Sequence, residues 1–432
     1  MESPTNLPCS ADCALEVFRR LVHHNAIKAT DVTGDPSDLA LVADAAVRAK
    51  GNQTLLVREL RASFDFHDAA PNDGHRTAIA LMLEDSVSQI LTTNFDLAVA
   101  HAKTDLRAEG ISIIESAADF PDAGALRVIF AHGNADCDAE HWVLQSADLE
   151  KAWKDTWAEA LAKSAFANPF VVFIGMGSSA PLISHCASFI KACVPTQSLY
   201  QVDPEKYGGT AFTSEVGVTE PHYMECGFTE FMRKAGNLLL SEQLHEIENE
   251  VQELISQDAS KKDDISAIRE LLERRGLTYF GELRAAWLLN DRPYLPHQKA
   301  EVNILAETFL GLARIATVTA GTIEGYINPY ILLTTAEHSV FALHPICGRG
   351  TKPIESAQTL AYEMAKAFQR NATNTIPVYL AVGYPGQAVP LEPQMDERSA
   401  EDILSPDVPY RFVELTELRQ SQSPDILLGA AC

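Results

Sequence analysis

A chain of 432 residues, 46% of them hydrophobic, is long enough to form the cores of two domains. Its formal net charge of −25 repels nucleic acid, and it has neither a run of 18 apolar residues nor a basic start followed by an apolar core. We therefore expect no direct nucleic-acid partner, no membrane span and no secretory signal, and the eight cysteines, which form no Cys-x-x-Cys pair, are typical of a cytoplasmic protein.

The first 85 residues predict helices and no strand, because their apolar residues recur at helical spacing. The predicted helices are Ala14–His24, Pro36–Lys50, Gln53–Phe64 and Gly74–Glu84. Gly51 is a plausible C-cap of the second helix, since glycine adopts the left-handed conformation that ends many helices.

Strands and helices alternate from residue 88 onward. The predicted elements are Ser88–Thr92, Leu97–Lys103, Ile111–Ile114, Arg127–Ala131, Ala147–Ala165, Phe170–Gly175, Pro181–Cys193 and Ser198–Val202. Alternation at this spacing indicates βα units and a parallel sheet. In such sheets ligands bind beyond the carboxyl ends of the strands, so the residues that follow each strand are the candidate site.

The C-terminal part predicts a second, smaller α/β domain. A polar stretch without periodicity, 256–264, follows a long helix predicted over Phe228–Glu253. The predicted organisation is a first domain at 1–240, a helical linker at 241–264, a C-terminal α/β domain at 265–390 and an acidic, partly ordered tail at 391–432.

The predicted elements of the second domain follow the order helix, strands, helix, strand. They are helices at Ile265–Arg275, Tyr279–Leu289, Glu301–Ala316 and Glu355–Asn371, and strands at Ile327–Thr334, His338–His344 and Ile376–Val382. This outline resembles the restriction-endonuclease-like fold. The paired strands offer Glu337, His338 and His344 but no Glu-x-Lys, so we expect no metal site and no nuclease activity there.

Polar residues follow two of the predicted strands in a pattern that suits a site. Thr93-Asn94-Phe95-Asp96 places an amide and a carboxylate in one short loop, where they could meet a polar ligand. An Asx turn that caps the next helix explains the same residues equally well. His132 could accept a proton, because an unperturbed imidazole titrates near neutral pH, or it could be a structural histidine beside Gly133.

Later strand ends carry weaker signals. Gly175 and Gly177 suit either a phosphate-binding turn or an ordinary tight turn. Ser178 could bind ribose or phosphate, or cap the helix that begins at Pro181. Asp203 could bind an adenosine ribose or be a solvated loop acid. His141 and Trp142 are interpreted as packing residues.

Several motifs fall in the order and at about the spacing of one known family. They are Pro71…His75, Thr92-Thr93-Asn94-Phe95-Asp96, Val128–Gly133, Trp142-Val143-Leu144 with Trp153, Phe173–Ser179, Tyr200–Asp203 and Gly227–Met232. Over about residues 5–240 the chain resembles the bacterial sirtuin-like family that hydrolyses NAD in antiphage defence. The resemblance implies a Rossmann-like parallel sheet, NAD as substrate, and Asn94 with His132 as the catalytic pair. We expect Thr93, Asp96, Gly175, Gly177, Ser178 and Asp203 to contact NAD.

The chain departs from the family pattern at two places, and each departure changes what we expect of its function. Protein-deacylating sirtuins carry a zinc ribbon of Cys-x-x-Cys pairs, which this chain lacks, so hydrolysis of NAD fits better than deacylation. The family's first strand and its glycine-rich loop are also missing, and Asn6-Leu7-Pro8 resembles the piece just after them. We expect either translation from further upstream or another segment in that position, with weak NAD binding and a poorly ordered first dozen residues.

The expected function is hydrolysis of NAD to nicotinamide and ADP-ribose by a defence effector. The alternative is a non-catalytic sirtuin-like subunit that binds ADP-ribose or NAD and scaffolds a defence complex. Since such an enzyme must be idle until triggered, we expect a homo-oligomer or a complex with an ATPase-like partner. The candidate contacts are the helix Leu240–Ile255 and the C-terminal domain.

Overall fold

The computed structural model describes residues 5, 7–177, 180–255 and 264–281, together with five strands between 322 and 414. The chain divides into two compact units, Met1–Ala235 and Gly236–Cys432. The division lies close to the boundary that the sequence places at residue 240. Among the described residues, no helix combines the length and the apolar character that crossing a bilayer requires.

Four helices precede the first strand of the N-terminal unit, as predicted. They are α1 (Ser10–His23), α2 (Leu39–Lys50), α3 (Thr54–Ser63) and α4 (Asp73–Leu83). Apolar residues such as Val17 of α1 and Leu56 of α3 are fully buried. An ion pair of 3.0 Å between Arg20 and the buried Glu59 links α1 to α3.

The predicted disorder of the first dozen residues is wrong for the part that the structure describes. Thr5 and Leu7 are buried, and α1 begins at Ser10 rather than at Ala14. The Thr5 hydroxyl donates a hydrogen bond of 2.8 Å to the carbonyl of Ala70. Burial of apolar and hydrogen-bonded groups therefore holds this segment against the domain.

Two three-stranded parallel sheets form the centre of the unit. The first has the order β1 (Gln89–Thr92), β3 (Arg127–Phe130), β2 (Ser112–Ile114), and the second the order β4 (Phe170–Ile174), β5 (Ser198–Asp203), β6 (Tyr223–Glu225). The helices between them are α5 (Ala98–Asp105), α6 (Ser146–Lys151), α7 (Trp157–Phe166), α8 (Pro181–Cys193) and α9 (Ala211–Val216). The α/β class and the parallel strands are confirmed, whereas β6 is an element that the sequence analysis missed.

The single helix predicted over Ala147–Ala165 is wrong, because the chain forms two helices there. Asp155 adopts a left-handed conformation with φ +58° between α6 and α7, which breaks the helical backbone. At the same break the indole of Trp153 turns inward and donates a hydrogen bond of 2.9 Å to the carbonyl of Ala131. The break thus places a buried tryptophan behind the end of β3.

Helix α7 covers both sheets. Leu161 packs with Ile114 and Ile129 of the first sheet. Ala162 and Phe166 belong to the cluster that surrounds Phe173 of β4. Helix α7 therefore contributes residues to an apolar cluster under each sheet.

The C-terminal unit contains a five-stranded mixed sheet. Helix α10 (Phe228–Ile255) leads into this unit and is followed by α11 (Asp264–Arg275). The sheet has the order β11 (Tyr410–Glu414), β10 (Val378–Gly383), β9 (Val340–Ile346), β8 (Tyr330–Thr334), β7 (Thr322–Ile327). Strands β7, β8 and β9 pair antiparallel, and β9, β10 and β11 pair parallel.

Three predictions for this unit need correction or fall outside the described residues. The strand predicted as Ile327–Thr334 belongs to a hairpin, because Thr322–Ile327 pairs with Tyr330–Thr334. The region predicted as an acidic tail contains β11, so the prediction of a tail is wrong there. Helices predicted at 301–316 and 355–371, and residues Glu337 and His338, lie outside the described residues.

The packing of α7 against the sheets can be tested by measuring protein stability. Leu161→Ala removes a buried side chain that packs against the first sheet, and we expect it to lower the free energy of unfolding by about 2–5 kcal/mol. The measurement is urea unfolding followed by circular dichroism. Leu238→Ala is the matched control, since Leu238 is 72% exposed and its loss should cost much less. Equal losses for the two variants would contradict the packing described for α7.

Candidate functional site

The register of the first sheet brings Asn94 and His132 to one edge. Thr92 of β1 lies opposite Phe130 of β3, and the amide of Ala131 donates a hydrogen bond of 3.0 Å to the carbonyl of Thr92. Asn94 lies two residues after Thr92, and His132 lies two residues after Phe130. Because the strands are parallel, both residues leave the sheet at its carboxyl edge, where α/β proteins bind ligands.

The loop after β1 is held by its aromatic residue. The ring of Phe95 stacks on Trp142 with centroids 4.3 Å apart and planes at 7°. The carbonyl of Phe95 accepts a hydrogen bond of 2.8 Å from the amide of Ala135. These contacts fix the loop beside the chain that follows β3, and they leave Asn94 exposed to solvent with Thr93 half-buried.

Asp96 is buried directly before Leu97, the N-cap of helix α5. Its side chain is 4% exposed, and one carboxylate oxygen accepts a hydrogen bond of 3.1 Å from the amide of Ala98. Burial raises the pKa of this carboxyl above its usual value. The Asx turn that the sequence left open is therefore present at the start of α5, and it occupies one of the two oxygens that could meet a ligand.

His132 is half-buried, and the Nε2 end of its imidazole is enclosed by protein. Its ring meets Trp153 edge to face, with centroids 5.7 Å apart, and its carbonyl accepts a hydrogen bond of 2.9 Å from the amide of Val143. Burial lowers the pKa of His132 to about 4, so the imidazole is neutral at pH 7. The Nε2 atom is buried and has no hydrogen-bond partner among the described residues. A buried polar atom left unpaired costs free energy, which a ligand or water could recover.

Gly133 is required next to this histidine. Its backbone adopts φ +79°, a conformation that residues with a Cβ rarely adopt. A Cβ at this position would lie 2.7 Å from the carbonyl oxygen of His141. The chain can therefore turn this closely after His132 only with glycine.

A second group of candidate residues lies at the ends of β4 and β5. Gly175 has φ +69° and donates its amide to the carbonyl of Val202 at 2.9 Å. A Cβ on Gly177 would lie 3.9 Å from a carboxylate oxygen of Asp203, so these two residues are neighbours. Asp203 is 3% exposed and accepts a hydrogen bond of 2.9 Å from the amide of Glu205. Ser178 lies outside the described residues.

The residue that supports this second group, Gln201, was not predicted from the sequence. Gln201, within β5, is fully buried and donates hydrogen bonds of 3.2 Å to the carbonyl of Met176 and to the hydroxyl of Thr210. Its side-chain oxygen accepts a hydrogen bond of 2.9 Å from Thr213. A glutamine at an inward position of a predicted parallel strand was the available signal, because buried amides need specific partners.

A cavity of about 320 Å³ lies beside the first group but does not include Asn94 or His132. Its lining residues are Leu97, Ala100, His101, Thr104, Ile113, Glu115, Asp119 and Asp136. The carboxylates of Glu115, Asp119 and Asp136 outnumber the single histidine, so the electrostatic potential in this cavity is negative and disfavours a pyrophosphate. We therefore place the candidate site at the strand ends and not in this cavity.

One set of side chains in the described residues could hold a metal ion. Asp138, Glu140 and His141 can bring one ligand atom each within 4.8 Å of one another. All three residues are exposed, so the interpretation of His141 as a packing residue is wrong, whereas Trp142 is buried as expected. Exposed carboxylates commonly lie this close without an ion, so the set carries no assignment.

The candidate residues thus form two groups. Asn94, Asp96 and His132 belong to the first sheet, and Gly177 with Asp203 to the second. Within the part of the chain that the structure describes, no hydrogen bond joins the two groups. No family model matches the chain, and no curated protein sequence shows significant similarity to it. The interpretation of the site therefore depends on its geometry and chemistry.

Burial of His132 predicts a pH-dependent stability. Its pKa of about 4 in the folded state lies below the value of about 6.5 for an unfolded chain, so the unfolded chain binds the proton first as the pH falls. We expect this residue alone to contribute a loss of up to about 1.4 kcal/mol per pH unit between about pH 6.5 and pH 4.

The measurement is the free energy of unfolding as a function of pH. His132→Gln should remove this part of the slope, whereas His141→Gln, on the surface, should leave it in place. A slope that is the same in wild type and His132→Gln would contradict burial of the imidazole.

Proposed function

We propose that this protein hydrolyses NAD to nicotinamide and ADP-ribose. The observation that supports the proposal is the position of Asn94 and His132 at one carboxyl edge, with a neutral imidazole whose buried Nε2 has no partner among the described residues. The proposal also assigns a Rossmann-like arrangement to the parallel strands of the N-terminal unit, in agreement with the family resemblance of the motifs.

The reaction needs little acid catalysis, because the nicotinamide of NAD is already cationic. The bond between ribose C1′ and the nicotinamide nitrogen breaks with its electron pair on nitrogen, which leaves a neutral nicotinamide. The ribose passes through an oxocarbenium-like centre of the kind that glycoside hydrolysis uses. Water adds to C1′ and loses one proton. A site for this reaction must hold the ribose, position the water and accept that proton.

We assign these tasks to the first group of residues. Asn94 orients the water or a ribose hydroxyl through its exposed amide. His132 accepts the proton from water. A pKa of about 4 makes the imidazole a weak base, which is sufficient because an oxocarbenium-like carbon is strongly electrophilic. Thr93 and Asp96 contact the nicotinamide end, where the carboxamide offers both a donor and an acceptor.

The second group suits the other end of the dinucleotide. Asp203 lies at the end of a parallel strand, where a carboxylate can accept hydrogen bonds from ribose hydroxyls. Gly175 and Gly177 allow a close approach to phosphate, and α8 begins with Pro181 just beyond them. The role in defence, and assembly as a homo-oligomer or with an ATPase-like partner, are proposed from the family resemblance alone.

A second function is a non-catalytic subunit that binds NAD or ADP-ribose and scaffolds a complex. It is favoured by the separation of the candidate residues into two groups on two sheets. Binding of ADP-ribose without release of nicotinamide from NAD would distinguish this function from hydrolysis.

The catalytic assignment has a direct test. We expect His132→Ala to lower nicotinamide release from NAD by about 10²- to 10⁴-fold, the usual effect of losing a general base, and Asn94→Ala to act likewise. The assay is chromatographic detection of nicotinamide from purified protein, alone and with co-expressed neighbours. His141→Ala is the control on the same connecting segment and should keep full activity. Equal activity of wild type and His132→Ala would remove the assignment.

The two roles of Asp96 can also be separated. Asp96→Ala should cost about 1 kcal/mol of stability through loss of the Asx-turn hydrogen bond at the start of α5, whereas Asp96→Asn keeps a side-chain oxygen that can accept it. If Asp96 contacts NAD through its charge or its acceptor oxygen, Asp96→Asn will raise the KM for NAD while unfolding stays near wild type. An unchanged KM in the stable Asp96→Asn variant would leave Asp96 with its Asx turn only.

A further inference from the structure

Helix α3 carries an exposed arginine that contacts the segment following His132. The guanidinium of Arg61 donates a hydrogen bond to the carbonyl of Cys137. It also lies over the ring of Trp142, with 5.4 Å between its central carbon and the ring centroid. Arg61 is exposed, whereas Trp142 is fully buried, so this one side chain covers the indole and holds the backbone that leads to it.

The contact made by Arg61 extends to Asn94 through two aromatic rings. Trp142 stacks on Phe95, with centroids 4.3 Å apart and planes at 7°. Phe95 directly follows Asn94 in the chain, and its carbonyl accepts a hydrogen bond of 2.8 Å from the amide of Ala135. Since the side chain of Asn94 is exposed, its position depends on how firmly the ring of its neighbour is held.

Helix α3 holds the same segment at a second point. Gln53, the N-cap of α3, is buried and donates hydrogen bonds of 2.6 and 2.8 Å to the carbonyls of Ala139 and Trp142. These bonds hold the backbone of the segment. The indole itself is contacted by Phe66, with planes at 68°, and by the cationic group of Arg61.

The two contacts of Arg61 depend on the shape of a guanidinium. The face of an indole attracts a cation, and a planar guanidinium can lie over the ring while the N–H groups at its rim donate to a carbonyl. Lysine has the same charge on a single nitrogen, with neither the plane nor the fork of donors. Methionine has a long stem and no charge. Substitution by lysine and by methionine therefore separates the effect of charge from the effect of shape.

We propose that Arg61 is a positioning residue, which acts through Trp142 and Phe95 to fix the loop that carries Asn94. The inference rests on the proposed hydrolysis of NAD, in which Asn94 orients the water or a ribose hydroxyl. Displacement of a reacting group by about 1 Å can lower a rate by about 100-fold. Arg61 is not among the residues assigned to NAD, so its loss lowers kcat and leaves KM unchanged.

The kinetic test compares two variants of Arg61 with a control on the same helix. We expect Arg61→Met to lower kcat for nicotinamide release from NAD by about 10- to 100-fold, with KM within about twofold of wild type. Arg61→Lys should recover only part of the loss, because the charge returns without the plane. Arg58→Met is the control, since the Arg58 guanidinium bonds to Glu59 at 3.3 Å, and it should keep the wild-type kcat.

Amide exchange tests the position of the loop without NAD cleavage. The amide of Ala135 donates to the carbonyl of Phe95, so its exchange reports how firmly that residue is held. We expect this amide to exchange at least about tenfold faster in Arg61→Met than in wild type. The amide of Gly175, which bonds to Val202 in the second sheet, is the internal control and should keep its rate.

The two measurements together decide the proposal. Unchanged exchange at Ala135 in Arg61→Met would overturn it, and so would an equal loss of kcat in Arg58→Met. A raised KM with unchanged kcat would make Arg61 a binding residue instead. If the wild type releases no nicotinamide, the proposed hydrolysis fails. Faster exchange at Ala135 in Arg61→Met would then still support control of the loop by Arg61.

Discussion

The pairing of β1 with β3 is the constraint on which the candidate site depends. The register that sets Thr92 opposite Phe130 determines where Asn94 and His132 leave the sheet. A slip of one residue would turn each following side chain to the other face of its strand. The hydrogen bond from Ala131 to Thr92 extends the pairing one step beyond the strands, so the register is held at the point where the site begins.

Two tryptophans pack around the residues that this register positions. Trp153 anchors the end of β3 through Ala131 and covers the imidazole of His132, while Trp142 stacks on Phe95 and holds the loop that carries Asn94. Gln53 of the helical layer donates hydrogen bonds to the carbonyls of Ala139 and Trp142, which ties the segment after His132 to the helices. Burial keeps the imidazole neutral, so stability at acid pH and the proposed proton transfer at neutral pH depend on the same burial.

The helix ends that depend on the backbone preference of a single residue could be predicted from the sequence. Gly51 ends α2 in the left-handed conformation, with φ +78°, and Pro181 begins α8, as their backbone preferences require. The break at Asp155 could not be predicted from local sequence. A positive φ is unfavourable for aspartate, and it is stable here because tertiary contacts such as the Trp153 hydrogen bond offset its cost. The buried network of Gln201 likewise depends on partners 9 and 12 residues away in sequence, which no periodicity specifies.

The two groups of candidate residues lie on separate sheets, and this separation bears on the proposed chemistry. The proposed hydrolysis of NAD requires groups that contact the nicotinamide ribose and groups that contact the distal end to act on one molecule. Helix α7 supplies residues to an apolar cluster under each sheet. Within the described residues no hydrogen bond joins the two groups, so packing against this helix is what relates their positions. Precision of the proposed site therefore depends on how well α7 packs against both sheets.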